Sequence, residues 1–355
     1  MTNKRKITFA NAINEALDVA LGVDSNVLCF GLGVPDPKGV FGTTLGLHEK
    51  YGVERVFDMP TAENGMTGIG IGAAISGMRP IMTHQRLDFF LLAMDQIVNN
   101  AAKWHYMFGG QGNVPITIRL ILGRGWGQGP THSQNLQSWF AHIPGLKVVM
   151  PANPYDAKGL LLSSIFDPNP VIFLEHRWLH NSIAEVPDGD FRIEIGKAKT
   201  LREGDDITIV SYSSMVPEAL VATEFLSRNH NINCDLLDLR TISPLDWVSV
   251  FKSVKKTGRL LVLDTSNANN SVAGEIVARV TMDCWDFLKQ APQRIALPDI
   301  PVPTSYALTK NLYPTPDDIA LKVGAMLNVE VALEQSLLGS SVHHDIPGKW
   351  FSGPF

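Results

Sequence analysis

Two separate series of short apolar segments, each alternating with helical patterns, restrict this chain to an α/β architecture more firmly than any single motif does. In the first series ITFANAINEALDVAL (7–21) repeats apolar residues at helical spacing, while NVLCFGLGV (26–34) and ERVFDMP (54–60) read as strands. A glycine- and alanine-rich helix follows, then the strand RPIMTH (79–84). DFFLLAMDQIVNNAAKWHYM (88–107) puts Phe90, Met94, Ile97, Val98, Ala101 and Trp104 on one stripe, with Asp88 as the expected N-cap. VPITIRLIL (114–122), LKVVMP (146–151) and PVIFLE (170–175) are nearly unbroken apolar runs, as a parallel sheet covered on both faces requires. The pattern dissolves between about 177 and 200, and a second series starts at ITIVSYS (207–213) and ends in a helix at 316–328. A chain of 355 residues exceeds one ordinary core, so the expectation is two doubly wound domains: 1–180, a linker at 181–203, 204–329, and a tail at 330–355.

Charge narrows the function classes. Lys plus Arg number 30 against 35 Asp plus Glu, a net −5, and no basic cluster follows the opening NKRK. Nucleic acid and membrane surfaces are therefore not expected partners; a small molecule or another protein is. Cys29, Cys234 and Cys284 are odd in number and widely spaced, which reads as core thiols in a reducing compartment rather than a disulfide framework. The polar start and the lack of a long apolar run point to a cytoplasmic protein.

The stretch FDMPTAENGMTGIGIGAAISGMRP (57–80) holds the acid Glu63 ahead of Gly65, Gly68, Gly70 and Gly72. GIGIGA formally satisfies a dinucleotide fingerprint, with Asp88 near the position of a ribose-binding acid. Such a fingerprint needs the strand to run straight into the first glycine, but Pro60, Thr61, Ala62, Glu63 and Asn64 intervene. Small residues that let a buried helix approach a sheet explain the glycines better. Glu63 then sits past a strand end and at the first turn of a helix, where parallel sheets open ligand crevices. Its alternative role is an N-terminal helix charge.

GLGVPDPKGVFGTTLGLHEKYGVERVFDMPTAENGMTGIGIGAAISGMRP, AMDQIVNNAAKWHYMFGGQGNVPITIR and THSQNLQSWFAHIPGLKVVMPANPYDAKGLLLSSIFDPNPVIFLE resemble, in order, the β subunit of thiamine diphosphate-dependent 2-oxo acid dehydrogenases, the E1 component. The resemblance implies a transketolase-like pyrimidine-binding domain followed by a transketolase C-terminal domain, in an α2β2 assembly. It implies that Glu63 hydrogen-bonds the cofactor's aminopyrimidine, that Phe89 stacks on that ring, and that Gln85 contacts the cofactor. His132, behind the glycine loop Gly123, Gly125, Gly127 and Gly129, matches the histidine that handles acyl transfer to a lipoyl acceptor; the alternative is a surface histidine at a helix start. Ile116, Ile165, Asp167 and Asn169 match a structural potassium loop, with a plain helix-ending turn as the alternative. The Mg2+ that holds the diphosphate belongs, by the same resemblance, to the α chain. Asp188-Gly189-Asp190 lacks the flanking residues of that motif and reads as linker.

Three departures bear on the substrate. Leu32 stands where relatives carry an acid, Arg86 stands at a usually neutral position beside the cofactor edge, and the tail extends past the residues that would meet an E2 lipoyl acyltransferase. Arg86 could grip a substrate carboxylate or phosphate, or pair with Asp88. The expected function is decarboxylation of a 2-oxo acid with transfer of the acyl or aldehyde unit. A transketolase-like ligation onto a sugar and an idle scaffold subunit are the alternatives.

Overall fold

Thr8 accepts a hydrogen bond from the Asn11 N–H and starts the first helix, Phe9–Val23, whose Phe9, Ile13, Leu17 and Leu21 recur every fourth residue and are buried. They pack into one core with Leu161, Ile165 and Phe173. Full burial of each such side chain contributes about 2 kcal/mol, so this seam is a main fastening of helix to sheet.

The computed structural model describes residues 5–124 and 127–338. They divide into two compact units: residues 5–123 with 139–195, and Arg124 and 127–138 with 196–338. In chain order the first unit contains β1 (Arg5–Thr8), β2 (Val27–Gly31), β3 (Val56–Asp58), β4 (Arg79–His84), β5 (Thr117–Leu122), β6 (Lys147–Val149), β7 (Val171–His176) and β8 (Ile183–Val186). Six of them form a parallel sheet in the order β6-β7-β5-β4-β2-β3, and β1 pairs with β8 apart from it. Every strand of that sheet therefore ends at the same edge, and the side chains that follow those ends line up along it.

The second unit holds β9 (Lys199–Arg202), β10 (Ile207–Ser211), β11 (Cys234–Asp238), β12 (Thr241–Ser243), β13 (Leu260–Asn267) and β14 (Gln293–Leu297). The sheet order is β14-β13-β10-β11-β9, parallel except for β9. The helices Met215–His230 and Pro316–Leu327 cover Ile207, Ile209, Leu236 and Leu261. A Thr315–Asp318 capping box starts the latter helix.

The expected helix over 88–107 is broken: it becomes a helix Leu87–Phe90, a 3-10 turn Leu91–Ala93, a π-helical stretch Gln96–Ala101 and a helix Ala102–Met107. Its N-cap is Arg86 rather than Asp88, because Leu87 already turns into the helix and buries. The segment 181–203 contains two strands. β8 pairs antiparallel with β1, and Lys158 holds the following Pro187 carbonyl at 2.9 Å, so this chain is strapped to the first unit before β9 opens the second. Of the tail, residues up to 338 fold back on the Pro316–Leu327 helix, where the Leu337 N–H donates to Asp317 at 2.8 Å. The terminal GKWFSGPF and Gly125 lie outside the described residues. No helix among the described residues is long and apolar enough to cross a membrane. Cys29, Cys234 and Cys284 are buried and unpaired, and burial pushes the Cys29 thiol up to about 11 and that of Cys234 to about 12.

Candidate active site

The carboxyl edge of the first sheet gathers the polar residues singled out above. Glu63 opens the helix Glu63–Ile75 a few residues past the end of β3 and is only 4% exposed. Among the described residues its carboxylate has no hydrogen-bond or ion-pair partner. A carboxylate at such an edge, nearly buried and without a protein partner, is placed to meet a ligand. The glycines of its helix do what close packing demands. A Cβ at Gly70 would meet Ile116 at 3.1 Å and Phe30 at 3.3 Å, whereas one at Gly65 or Gly72 would meet nothing. The dinucleotide reading fails, since all these glycines lie inside the helix rather than in a loop.

The loops after β2 and β4 are tied together beside it. The Gln85 amide donates to the Leu32 carbonyl at 3.2 Å, and the Gly33 N–H donates to Asp58 at 2.9 Å. Gly33 adopts φ +75°, and a Cβ there would sit 2.4 Å from the Gln85 amide nitrogen, so this crossing admits only glycine. Leu32 is half-buried behind it. Phe89 and Phe90 part as their spacing predicts: Phe90 is fully buried against His84, with ring centroids 4.8 Å apart, and Phe89 is 43% exposed. Burial alone drives the His84 imidazole down to about 4, so it is neutral.

Further along the same edge stand Arg86 after β4 and Arg177 after β7, 5% and 7% exposed. Behind them Arg119 and Glu175 form an ion pair at 2.6 Å with both side chains fully buried, and His180 lies 3.6 Å from the other Glu175 oxygen. Burial opposes ionisation of Glu175, yet Arg119 and His180 hold its carboxyl below the usual range; burial likewise lowers His180 despite Glu175.

Of the residues expected to hold potassium, Ile116, Ile165 and Asp167 have protein partners. The Lys147 ammonium is hydrogen-bonded to one Asp167 oxygen, and the other accepts the Asn169 N–H at 2.9 Å. The Ile116 carbonyl accepts from the Val171 N–H at 3.0 Å and that of Ile165 from Arg79 at 3.4 Å. A lysine charge thus sits on the one acid of the set, while the carbonyls each keep a second lone pair for a hard cation. Asp188-Gly189-Asp190 does not fit a divalent metal: Asp188 pairs with Arg5 at 2.8 Å and Asp190 with Arg192 at 2.9 Å.

His132 belongs to the second unit. It is half-buried, its Nδ1 lies 3.1 Å from the Thr131 hydroxyl, and its N–H reaches the Gly129 carbonyl at 3.4 Å. Gly129, at φ +70°, leaves 2.4 Å between its missing Cβ and the Thr304 hydroxyl, which seats this loop closely on its own unit. Sequence reasoning missed Arg177 and the Lys147–Asp167 pair; Arg177 nears Arg86 across strands distant in the chain, Lys147 reaches Asp167 between the consecutive strands β6 and β7, and only the sheet order reveals either.

The model for the transketolase pyrimidine binding domain matches residues 5–181, and that for the transketolase C-terminal domain matches residues 196–319. The chain is 41% identical over 319 residues to the mitochondrial pyruvate dehydrogenase E1 component subunit beta-2 of Oryza sativa, covering 89% of this chain and 85% of the relative. It is 42% identical over 326 residues to the acetoin:2,6-dichlorophenolindophenol oxidoreductase subunit beta of Cupriavidus necator, covering 89% and 96%. Identity is 40% over 315 residues, 88% and 96% of the two chains, with the 2-oxoisovalerate dehydrogenase subunit beta of Bacillus subtilis. Among solved structures, the inactive beta4 tetramer of a split-gene transketolase superposes with a TM-score of 0.75 at 20% identity, over 92% of this chain and 100% of that one, which supports the fold. An edge carrying a buried, partnerless acid and a half-exposed aromatic, on two transketolase-type domains, thus belongs to a member of the E1 β-subunit family of thiamine diphosphate-dependent 2-oxo acid dehydrogenases.

Proposed function

We propose that this chain, assembled with an α-type subunit, forms an enzyme that decarboxylates a 2-oxo acid and passes on the acyl or aldehyde unit. The observation that carries the reading is Glu63: a carboxylate 4% exposed, at the carboxyl edge of a parallel sheet, with no partner of its own among the described residues. The residues fit the pyrimidine half of thiamine diphosphate, which when bound supplies a thiazolium carbon nucleophile and an electron sink. Glu63 shares a proton with the pyrimidine ring nitrogen and so sets the ring's tautomer. Phe89 presents an accessible face for stacking, and Gln85, tethered to the Leu32 carbonyl, shapes the adjoining wall. His132, its ring oriented by Thr131, is the group that moves a proton during transfer to the acceptor.

The diphosphate and its Mg2+ require a second polypeptide, since the sole acidic run of this chain resembling that motif is consumed by arginines. Ile69, Phe89, Leu92, Tyr106 and Met107 are 62%, 43%, 68%, 87% and 58% exposed on the helices next to Glu63, an apolar face suited to an α chain. A β–β contact completes the proposed α2β2 assembly. The test is co-expression with an α-type partner: Glu63→Gln should assemble normally and lose thiamine diphosphate-dependent turnover of 2-oxo acids, and full turnover by that variant would refute the assignment.

A further inference from the structure

The two arginines of the carboxyl edge raise a question that the proposed chemistry leaves unanswered. Arg86 and Arg177 follow β4 and β7, the strands on either side of β5, and the residue after β5 is Gly123. A Cβ at Gly123 would stand 3.1 Å from the Arg177 Cβ and 4.0 Å from Arg86 Nη1, so the two side chains meet over a glycine that leaves the floor between them open. Both are buried, and among the described residues Arg86 Nη1 and Arg177 Nε have no hydrogen-bond partner. Arg177 lies over the Phe41 ring, its guanidinium carbon 4.7 Å from the centroid. Val40 and Phe41 hold that platform in left-handed conformations, φ 38° and 59°, which β-branched and bulky residues adopt only where surrounding structure imposes it.

The charges do not balance. Asp88 faces Arg86, but Arg177 feels burial and the neighbouring Arg86 with no acid to offset them, and these push it down to about 10. The Glu175 carboxylate behind is already taken by Arg119 and His180. Two buried guanidinium groups side by side, with donors unsatisfied, are stable together when an oxyanion lies between them.

We propose that Arg86 and Arg177 clamp one oxyanion carried by the substrate, a carboxylate or phosphate remote from the reacting carbon. The planar forks suit either anion, and the aromatic platform under Arg177 fixes its orientation. The relatives named above act on pyruvate, acetoin and 2-oxoisovalerate, whose remote ends carry no charge. This chain therefore takes a more anionic substrate, either a 2-oxo dicarboxylic acid as donor or a phosphorylated aldehyde as acceptor. The inference rests on reading this edge as the reaction site.

Thermal unfolding of the full chain, without cofactor, tests the clamp separately from the reaction. Glutarate stands for the dicarboxylate and glycerol phosphate for the phosphorylated acceptor. Either should raise the melting temperature of the wild type, the effective probe identifying the source, and neither should raise that of Arg177→Met. Because Arg177→Met removes one of two repelling buried charges, the free variant should melt no lower than the wild type. In the complex with its α partner, Arg177→Met and Arg86→Met should lower kcat/KM for the anionic substrate about a hundredfold more than for pyruvate. No stabilisation by either anion, or stabilisation that survives Arg177→Met, overturns the clamp. Loss of all cofactor-dependent turnover with anion stabilisation intact would instead sink the reaction assigned to this edge.

Discussion

The two units present the same architectural opportunity and use it oppositely. Each has a mainly parallel sheet whose strands end at one edge. In the first unit that edge keeps, among the described residues, Glu63 buried without a partner and Arg86 and Arg177 with unsatisfied donors. In the second, Asp264 on β13 gathers a knot of side chains from its own unit, although Ser211 Oγ at the end of β10 and Gln137 Oε1 have no hydrogen-bond partner among the described residues. Asp264 accepts from the Gln137 amide at 3.0 Å, from the Ser266 N–H at 2.9 Å and hydroxyl at 2.8 Å, and from the Ala273 N–H at 3.0 Å. Gln137 also donates to Thr265, and the buried Tyr212 phenol, raised well above its ordinary range by burial and then by Asp264, stays protonated. The sheet supplies a crevice in both; whether it binds or merely holds the domain together depends on which polar groups the chain leaves unanswered.

The largest expected effect separates the two acids. In the assembled complex Glu63→Gln should cost about a thousandfold in kcat with the melting temperature unchanged, because it removes a proton-sharing group that no other residue needs. Asp264→Ala should do the reverse. It strands the Gln137 amide and the Ser266 and Ala273 donors, so urea unfolding should report a loss of about 4 kcal/mol while kcat of the surviving complex holds. Equal effects on activity would erase the contrast.

The next effect is one of pH. His84 lies on β4 just before the active edge, and its native pKa of about 4 is below the ordinary 6.5. Between those values the unfolded chain takes up a proton the native one refuses, so stability is full above pH 6.5 and is lost as pH falls toward 4. His84→Phe, which retains an aromatic ring against Phe90, should remove up to about 3 kcal/mol of that acid sensitivity in denaturant titrations at several pH values. The smallest effect concerns the cation. With the Lys147 ammonium on Asp167, exchanging potassium for sodium should change activity less than about twofold, whereas Lys147→Ala should create a dependence on potassium.

Much of this contrast is legible in the residue order. Apolar runs mark the strands of both sheets, the parting of Phe89 from Phe90 follows from helical spacing, and Glu63 is marked by its place after a strand ending in proline. What escapes is whatever crosses from one strand to another. Arg177 meets Arg86, and Lys147 meets Asp167, only because of sheet order and crossovers. The strands β1 and β8 have four residues each, too few for an alternation to be read, and their pairing turns a linker into a strap. The π-helical stretch Gln96–Ala101 breaks a helix whose periodicity is otherwise continuous, because one extra residue in a turn leaves the apolar stripe almost unchanged.

The central claim is that Glu63 of the first edge, and not Asp264 of the second, governs activation of the cofactor. It is tested most directly by the rate at which the C2 hydrogen of thiamine diphosphate exchanges with solvent deuterium in the assembled complex. Glu63→Gln should slow that exchange about a thousandfold with cofactor still bound, while Asp264→Ala leaves it at the wild-type rate. Exchange undiminished in the Glu63 variant would contradict the account.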